Sequence, residues 1–308
     1  MAPDDTAPRQ VSPGPDPVAG PERAADFSRR LAFAHVLRGV AALSVLASHY
    51  LDMFWTEPAV VASLLGVPAM PSHSLPSWYR GILATLSPHG MGQFGVALFF
   101  LISGFVIPFS LLSLSRTGFL VARAMRLWPT YAVGFAVTML AVWACDSWFG
   151  QPFQGSARVM AAHILFVRDL LWLPSLDGIG WTLEIEVKFY LVCAVLAGSI
   201  RAGRMSTLLA FAGGAVVVTW AISGSPALVQ AGWYYAVLRV VTLNAQMICY
   251  MLIGATVNAM HRGRISARHA GIVGGALFCA FAVQWPWDCC VDWASAVSQH
   301  TAARWRRS

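Results

Sequence analysis

The chain has 308 residues, of which 57% are hydrophobic and 11% charged. Soluble domains run nearer half apolar and about a quarter charged, so a soluble fold of this length could not hide its apolar surface, whereas a bilayer can, with spans of about 20 apolar residues each. The net charge of +7 does not point to nucleic acid, because the arginines sit in short gaps between apolar runs, as they do in the cytoplasmic loops of membrane proteins.

Residues 1–27 are rich in Pro, Ala and Asp, a composition too polar to offset its own ordering entropy. The expected organisation is a disordered cytoplasmic tail over 1–30, a membrane domain over 31–287 and an irregular C-terminal tail over 288–308. Ser28-Arg29-Arg30 faintly resembles a twin-arginine export signal. The apolar run behind it is too long, carries an Arg and a His, and has no small-residue cleavage site, so a retained first span is expected.

The fold class is all-α, a polytopic helical membrane protein with about seven spans, because backbone groups in lipid must pair within their own segment. Span 1 covers about 31–53. A loop with five prolines, Pro58, Pro68, Pro71, Pro76 and Pro88, follows. Spans 2 and 3 cover about 92–114 and 127–149. Residues 157–176 are apolar but interrupted by Arg168 and Asp169, which suits a re-entrant or interfacial segment. Spans 4 to 7 cover about 179–200, 205–222, 234–257 and 270–285.

Twelve arginines would lie on one side of this arrangement: Arg9, Arg23, Arg29, Arg30, Arg116, Arg123, Arg126, Arg201, Arg204, Arg262, Arg264 and Arg268. The opposite loops hold Arg80, Arg158 and Arg168. The asymmetry puts the N-terminus in the cytoplasm and argues against a crossing by 157–176, which would invert every later loop. The basic end, Arg304-Trp305-Arg306-Arg307, breaks the rule. Either the C-terminus is truncated or altered, or span 7 does not cross. Six cysteines are scattered without CxxC spacing, and Cys289 and Cys290 have no nearby His, so neither a metal site nor a disulfide framework is expected.

Ionisable residues inside spans are costly and mark functional sites. Arg38, His49, Glu184, Glu186 and Lys188 stand out, with Arg239 a weaker case. Arg38 and His49 are eleven residues apart, which returns to nearly the same helix face about 16 Å further along the axis. One stripe therefore carries a cation in its inner half and, near its outer end, the side chain best suited to proton transfer at neutral pH. The plainer reading makes His49 an interfacial residue and pairs Arg38 with a carboxylate. Lys188 follows Glu184 by four residues, so those two are expected to neutralise each other. Glu186 then has no partner in its own helix and must look inward, to Arg38 or a polar cavity. Arg123 and Arg126 share a face at the inner mouth of span 3. Paired guanidinium groups suit phosphate, and topogenic charge is the alternative.

Four segments together resemble one family. Leu37-Arg38-Gly39-Val40-Ala41-Ala42-Leu43 with His49 resembles the "LRGxAAL…H" opening of the membrane acyltransferase-3 family. The stretch 95–105, GVALFFLISGF, resembles its "GVxLFFxxSGF" segment. Arg123-Ala124-Met125-Arg126-Leu127-Trp128-Pro129-Thr130-Tyr131 resembles "RxxRIxPxY". Trp181-Thr182-Leu183-Glu184-Ile185-Glu186 with Phe189-Tyr190-Leu191 resembles "WSLxxExxFYL". Each motif alone is weak; four in the family's order are specific.

The resemblance implies an integral membrane enzyme that moves an acyl group, often acetyl, from acyl-CoA to a carbohydrate or glycolipid hydroxyl at the bacterial inner membrane. His49 matches its catalytic histidine, and Arg38 and Glu186 match other polar motif positions of the catalytic site. Arg123 and Arg126 match the pair expected to hold the acyl-CoA donor. The chain departs from the family at His35 and Ala97, where Asp is usual, and at Val187-Lys188, where Glu-Gln is common. Members have about ten spans, and no motif follows residue 200. The rival class is a transporter of an acyl group or glycolipid, which would show internal repeats and broken helices at matched positions; no such pairing is visible.

Overall fold

Apolar runs punctuated by arginine fold into helices throughout the computed structural model, which describes residues 21–65, 76–86, 90–153, 155–223 and 234–284. The helices are α1 (Pro21–Ala47), continued by a π-helical turn (Ser48–Met53), then α2 (Phe54–Thr56), α3 (Pro58–Leu65), α4 (Ser77–Leu86), α5 (Met91–Ser113) and α6 (Arg116–Trp148). After them come α7 (Ala157–Ile164), α8 (Gly180–Val195), α9 (Ala197–Ala202), α10 (Met205–Ser223), α11 (Tyr234–His261) and α12 (Ala267–Val283). Residues 1–20 and the tail 288–308, with Cys289 and Cys290, lie outside the described residues, as does the side chain of Arg239.

The chain is an all-α, multi-pass membrane protein. Among the described residues, five helical segments are long and apolar enough to cross a bilayer: Ala32–Met53, Met91–Ser113, Arg116–Trp148, Met205–Ser223 and Val240–His261. That is fewer than the seven spans expected. The shortfall falls on spans 4 and 7, whose helices α8 and α12 have 16 and 17 residues. Helix α7 has eight residues, about 12 Å of rise, and does not span; the chain then returns through 165–179 to start α8. Helix α1 begins at Pro21, inside the stretch expected to lack order. Proline is tolerated at a first helical position because its missing N–H would have had no partner there.

Helix α5 is the centre of the bundle, packed between α1 and α11, while α8 contacts α5, α6 and α11, and α12 backs α11. The core joins Phe100, Ile107 and Leu111 of α5 to Phe119, Ile185, Phe189, Met251, Leu252 and Leu277. Val133, Val137 and Leu140 of α6 are exposed, as an apolar face turned to lipid should be.

Small residues set the helix distances. A Cβ on Gly104 would overlap the Met251 carbonyl oxygen, and one on Gly254 would overlap the Leu101 carbonyl. The two glycines thus let the α5 and α11 backbones touch, the small-residue packing that membrane helices use where lipid supplies no hydrophobic drive. A Cβ on Gly95 would sit 2.7 Å from the Ala41 carbonyl oxygen, so α1 and α5 meet in the same way. Contacts run from Ser48 beside Gly92 to Ala34 beside Ile102 and Val106, which makes α1 and α5 antiparallel.

Two arginines that the sequence marks as topogenic also finish helices. Arg201 donates from Nε to the Leu111 carbonyl at 2.7 Å and from Nη2 to the Leu114 carbonyl at 2.6 Å. Arg262 donates from Nη2 to the Ile200 carbonyl at 3.0 Å and from Nε to Asn258 Oδ1 at 2.8 Å. Cations at helix C-termini satisfy orphan carbonyls and oppose the dipole.

The glycine crossing gives the first prediction. Gly104→Val and Gly254→Val should each destabilise the bundle by about 1–3 kcal/mol or more, whereas Gly271→Ala, which meets nothing within 4 Å, should be neutral. Thermal unfolding in detergent reads this, and equal midpoints for all three variants would contradict the close crossing.

Candidate active site

Helix α8 has polar residues on two opposite faces, and the structure gives each face its own surroundings. Glu186 and Tyr190, one turn apart, look toward α5 and α6. Tyr190 donates its hydroxyl to Glu186 Oε1 at 2.7 Å, and Ser103 of α5 donates to the same oxygen at 3.3 Å. Two donors thus meet on one carboxylate oxygen. Around it stand three guanidinium groups. Arg38 of α1 lies within electrostatic reach of Glu186, Tyr190 and Arg126, and Arg123 lies within reach of Tyr190, Glu186, Arg126 and Arg38.

Arg123 is buried. It donates from Nη2 to the Ser110 hydroxyl and lies over the Phe119 ring, 5.7 Å from its centroid, a favourable place for a desolvated cation. Arg126 is exposed and Arg38 half-buried. Of the five residues matched to the family's site, Arg38, Arg123, Arg126 and Glu186 therefore lie near one another. Three positive charges face one negative charge, so the cluster keeps a net capacity for an anion.

His49 is not part of this cluster. Helix α1 keeps α-helical geometry through Ala47, so His49 lies about 16 Å beyond Arg38 along the axis. It is half-buried and is the second residue of the π-helical turn Ser48–Met53, its carbonyl accepting the Phe54 N–H. Such turns widen a helix and occur often at functional sites. Tyr79 of α4 donates to the Leu51 carbonyl at 2.8 Å, and Ser44 donates to the Met91 carbonyl at 2.6 Å, which fixes the turn from both sides. The imidazole itself makes no side-chain hydrogen bond with a described residue.

The other face of α8 corrects the expected Glu184–Lys188 pair. Glu184 is held by Arg168, through Nε to Oε1 at 3.0 Å and Nη2 to Oε2 at 2.7 Å. Lys188 instead donates to Asp169 Oδ2 at 2.7 Å and to the Glu184 carbonyl at 3.3 Å. A flexible i,i+4 contact loses here to a bidentate fork, which fits both carboxylate oxygens at once. Asn244 of α11 adds a third contact, Nδ2 to Asp169 Oδ2 at 3.0 Å. Arg168 and Asp169, which interrupt an apolar run in the sequence, thus pin segment 165–179 onto α8.

Sequence reasoning overlooked Ser103, Ser110 and Tyr190, although all but Ser110 lie in the quoted motifs. The signal was a polar side chain on the same face as a buried charge.

The chain is thus a multi-pass helical membrane protein with a cluster of three arginines beside a glutamate, of which Arg123 is buried, and a histidine further along one of its helices. A family model described as an acyltransferase domain, that of the acyltransferase-3 family, matches residues 31–294; the chain belongs to that family, whose members are acyltransferase enzymes. Nodulation protein 10 of Rhizobium leguminosarum bv. viciae is 30% identical over 152 residues, which are 44% of this chain and 40% of that protein. The match therefore spans less than half of that relative's length. No solved structure matches the chain.

The charge pairing gives the second prediction. Glu184→Ala leaves Arg168 buried without its partner, which should cost about 3–5 kcal/mol, while the double variant Arg168→Met, Glu184→Leu should recover much of the loss. Thermal unfolding of singles and double in one detergent tests this. A double variant no better than the two single losses added would contradict the pairing.

Proposed function

We propose that this chain is an integral membrane acyltransferase that moves an acyl group, acetyl above all, from acyl-CoA to a carbohydrate hydroxyl. One observation carries the reading: Arg38 and Arg123 lie within electrostatic reach of Glu186 and of Arg126, with His49 further along the helix that carries Arg38. Family membership supports the acyl chemistry and its acyl-CoA donor.

In this reading the CoA phosphates lie against Arg123 and Arg126, whose fork geometry and permanent charge match phosphate oxygens. Glu186 offsets part of the positive charge of the three guanidinium groups. The pantetheine arm runs along the Arg38–His49 stripe and delivers the thioester carbonyl to the imidazole. His49 takes the proton of the sugar hydroxyl as that oxygen attacks the carbonyl carbon. The C–S bond breaks, and the CoA thiolate receives the proton. In the covalent variant of this route the imidazole first accepts the acyl group and then passes it to the hydroxyl; an acylated protein trapped before acceptor is added would identify that variant.

The third prediction concerns the two ends of the site. His49→Ala should lower transfer by about 100- to 10,000-fold while acyl-CoA binding is kept. Arg123→Ala and Arg126→Ala should weaken donor binding more than acceptor binding. Steady-state transfer and donor binding at matched membrane levels read both. Near wild-type turnover in His49→Ala, Gln or Asn would remove His49 from the mechanism.

The arginine asymmetry also supports a site whose donor end faces the cytoplasm of a bacterial inner membrane, with the N-terminus on that side. As the fourth prediction, single cysteines at positions 116 and 262 should resist an impermeant reagent added from outside. Labelling of either one would reverse the orientation.

A further inference from the structure

Segment 165–179 joins α7 to α8 and is fastened more heavily than a connection needs. Its early part is tied to α8 and α11 by Arg168–Glu184, Lys188–Asp169 and Asn244–Asp169. Its two ends are tied to α6 by a second network. Tyr131 donates its hydroxyl to Asp177 Oδ2 at 2.9 Å. Asp177 Oδ1 accepts the N–H groups of Ile179 at 3.2 Å and Gly180 at 3.0 Å, and so caps the start of α8. His163, at the end of α7, is fully buried and stacks on Phe135, with ring centroids 4.9 Å apart. Its Nε2 accepts the Leu176 N–H at 3.1 Å, and its Nδ1 lies 3.3 Å from the Tyr131 hydroxyl.

These bonds have one consistent direction. Nε2 is an acceptor, so the neutral ring carries its proton on Nδ1 and gives it to the Tyr131 oxygen, whose own proton goes to Asp177. Phe166 and Trp172 hold φ values of 55° and 57°, in the left-handed region that larger side chains avoid. Such backbone persists where the surroundings over-determine it.

The location gives the network its meaning. Helix α6 is antiparallel to α5 and hence parallel to α1. Tyr131 comes five residues after Arg126, about 8 Å further along, in the direction that leads from Arg38 to His49. The segment therefore lies on the His49 side of the arginine cluster.

We propose that Tyr131, His163 and Asp177 are positioning residues that hold segment 165–179 as the wall of the acceptor end of the site, so that they govern capture of the hydroxyl substrate and leave the acyl-CoA end unaffected. The proposal rests on the acyl-transfer reading above. Tyr131 is the pivot: it is the last residue of the motif that begins at Arg123, so one stretch of helix carries the donor contacts and, beyond them, the fastening of the acceptor wall.

The arrangement also predicts acid sensitivity. Burial lowers the His163 pKa below the ordinary histidine value, Asp177 opposes that shift and Arg168 adds to it. The charged and titratable groups around the ring are Asp177 and Arg168 of the segment, Tyr131 of α6 and, through Tyr131 and Arg168, Glu184 of α8. Because the folded pKa lies below the unfolded one, the released segment takes up the proton first. Its fastening is complete above the unfolded value, about 6.5, and weakens as pH falls below it. Protonation also puts a hydrogen on Nε2, where the Leu176 N–H must point.

The test uses the purified full-length protein, acetyl-CoA as donor and an alkyl glucoside as acceptor probe. Tyr131→Phe keeps the ring stack and removes the hydroxyl. It should raise the acceptor KM on the order of 10-fold, with acetyl-CoA affinity within about 2-fold of wild type. Hydrogen exchange over 165–179 should rise in the variant and stay unchanged over 119–127. His163→Gln, whose amide oxygen can still accept the Leu176 N–H, should bind acceptor with a KM that rises less than the wild type's between pH 7 and about 5.5. Equal exchange over 165–179 in wild type and Tyr131→Phe would overturn the proposal, as would a loss of acetyl-CoA affinity as large as the loss for acceptor. Should no variant, wild type included, acylate the glucoside, the carbohydrate reading falls, and the exchange comparison still decides whether Tyr131 holds the segment.

Discussion

An ion inside a bilayer must find its counter-charge within the protein, because neither water nor lipid supplies one. That constraint organises this fold. Arg38, Arg123 and Arg126 stand within electrostatic reach of one another beside Glu186, which is held by Ser103 and Tyr190. Helix α8, with Glu184 and Lys188 on its other face, cannot show either polar face to lipid. It packs against α5, α6, α11 and the returning segment 165–179, and Ser103 of α5 and Arg168 and Asp169 of the segment supply its polar partners.

The close crossing of α5 and α11 serves the same end. Gly104 follows Ser103, so the residue that brings α11 onto the α5 backbone adjoins the residue that holds Glu186. The two jobs fall about 100° apart on the same turn, which gives a physical reason for a small polar residue and a glycine in succession. On the next turn Asn258 of α11 donates to the Phe105 carbonyl at 2.8 Å, so polar contacts continue where the glycine contact ends. Buried polar networks of this kind fix one arrangement only if every member is satisfied.

Much of the site was legible because lipid makes charge conspicuous. Arg38, Arg123, Arg126 and Glu186 are charges in or beside apolar helices, and the eleven-residue step placed His49 on the stripe of Arg38. The helical class followed from the same hydropathy. The pairing of charges was not legible. Local spacing favoured Glu184 with Lys188, but Arg168 reaches Glu184 across a turn whose path depends on non-glycine residues at positive φ, and propensity does not foresee such a conformation. The short α8 and α12 were read as full spans because periodicity reports an apolar helix without saying whether lipid or protein surrounds it. His163 and Asp177 gave little signal: one lies in an apolar run, and the other precedes a glycine in an apparent loop. They acquire partners only through tertiary contact.

The central claim is that the arginine cluster, with three positive charges around one carboxylate, is a receptor for the phosphates of the donor. The most direct measurement compares the thermal midpoint of the purified protein with CoA and with pantetheine, which has the thiol arm and no phosphate, at equal concentrations. A ligand that binds only the folded state raises that midpoint according to its affinity. The account predicts a clear rise with CoA and little or none with pantetheine, and equal shifts for the two would contradict it.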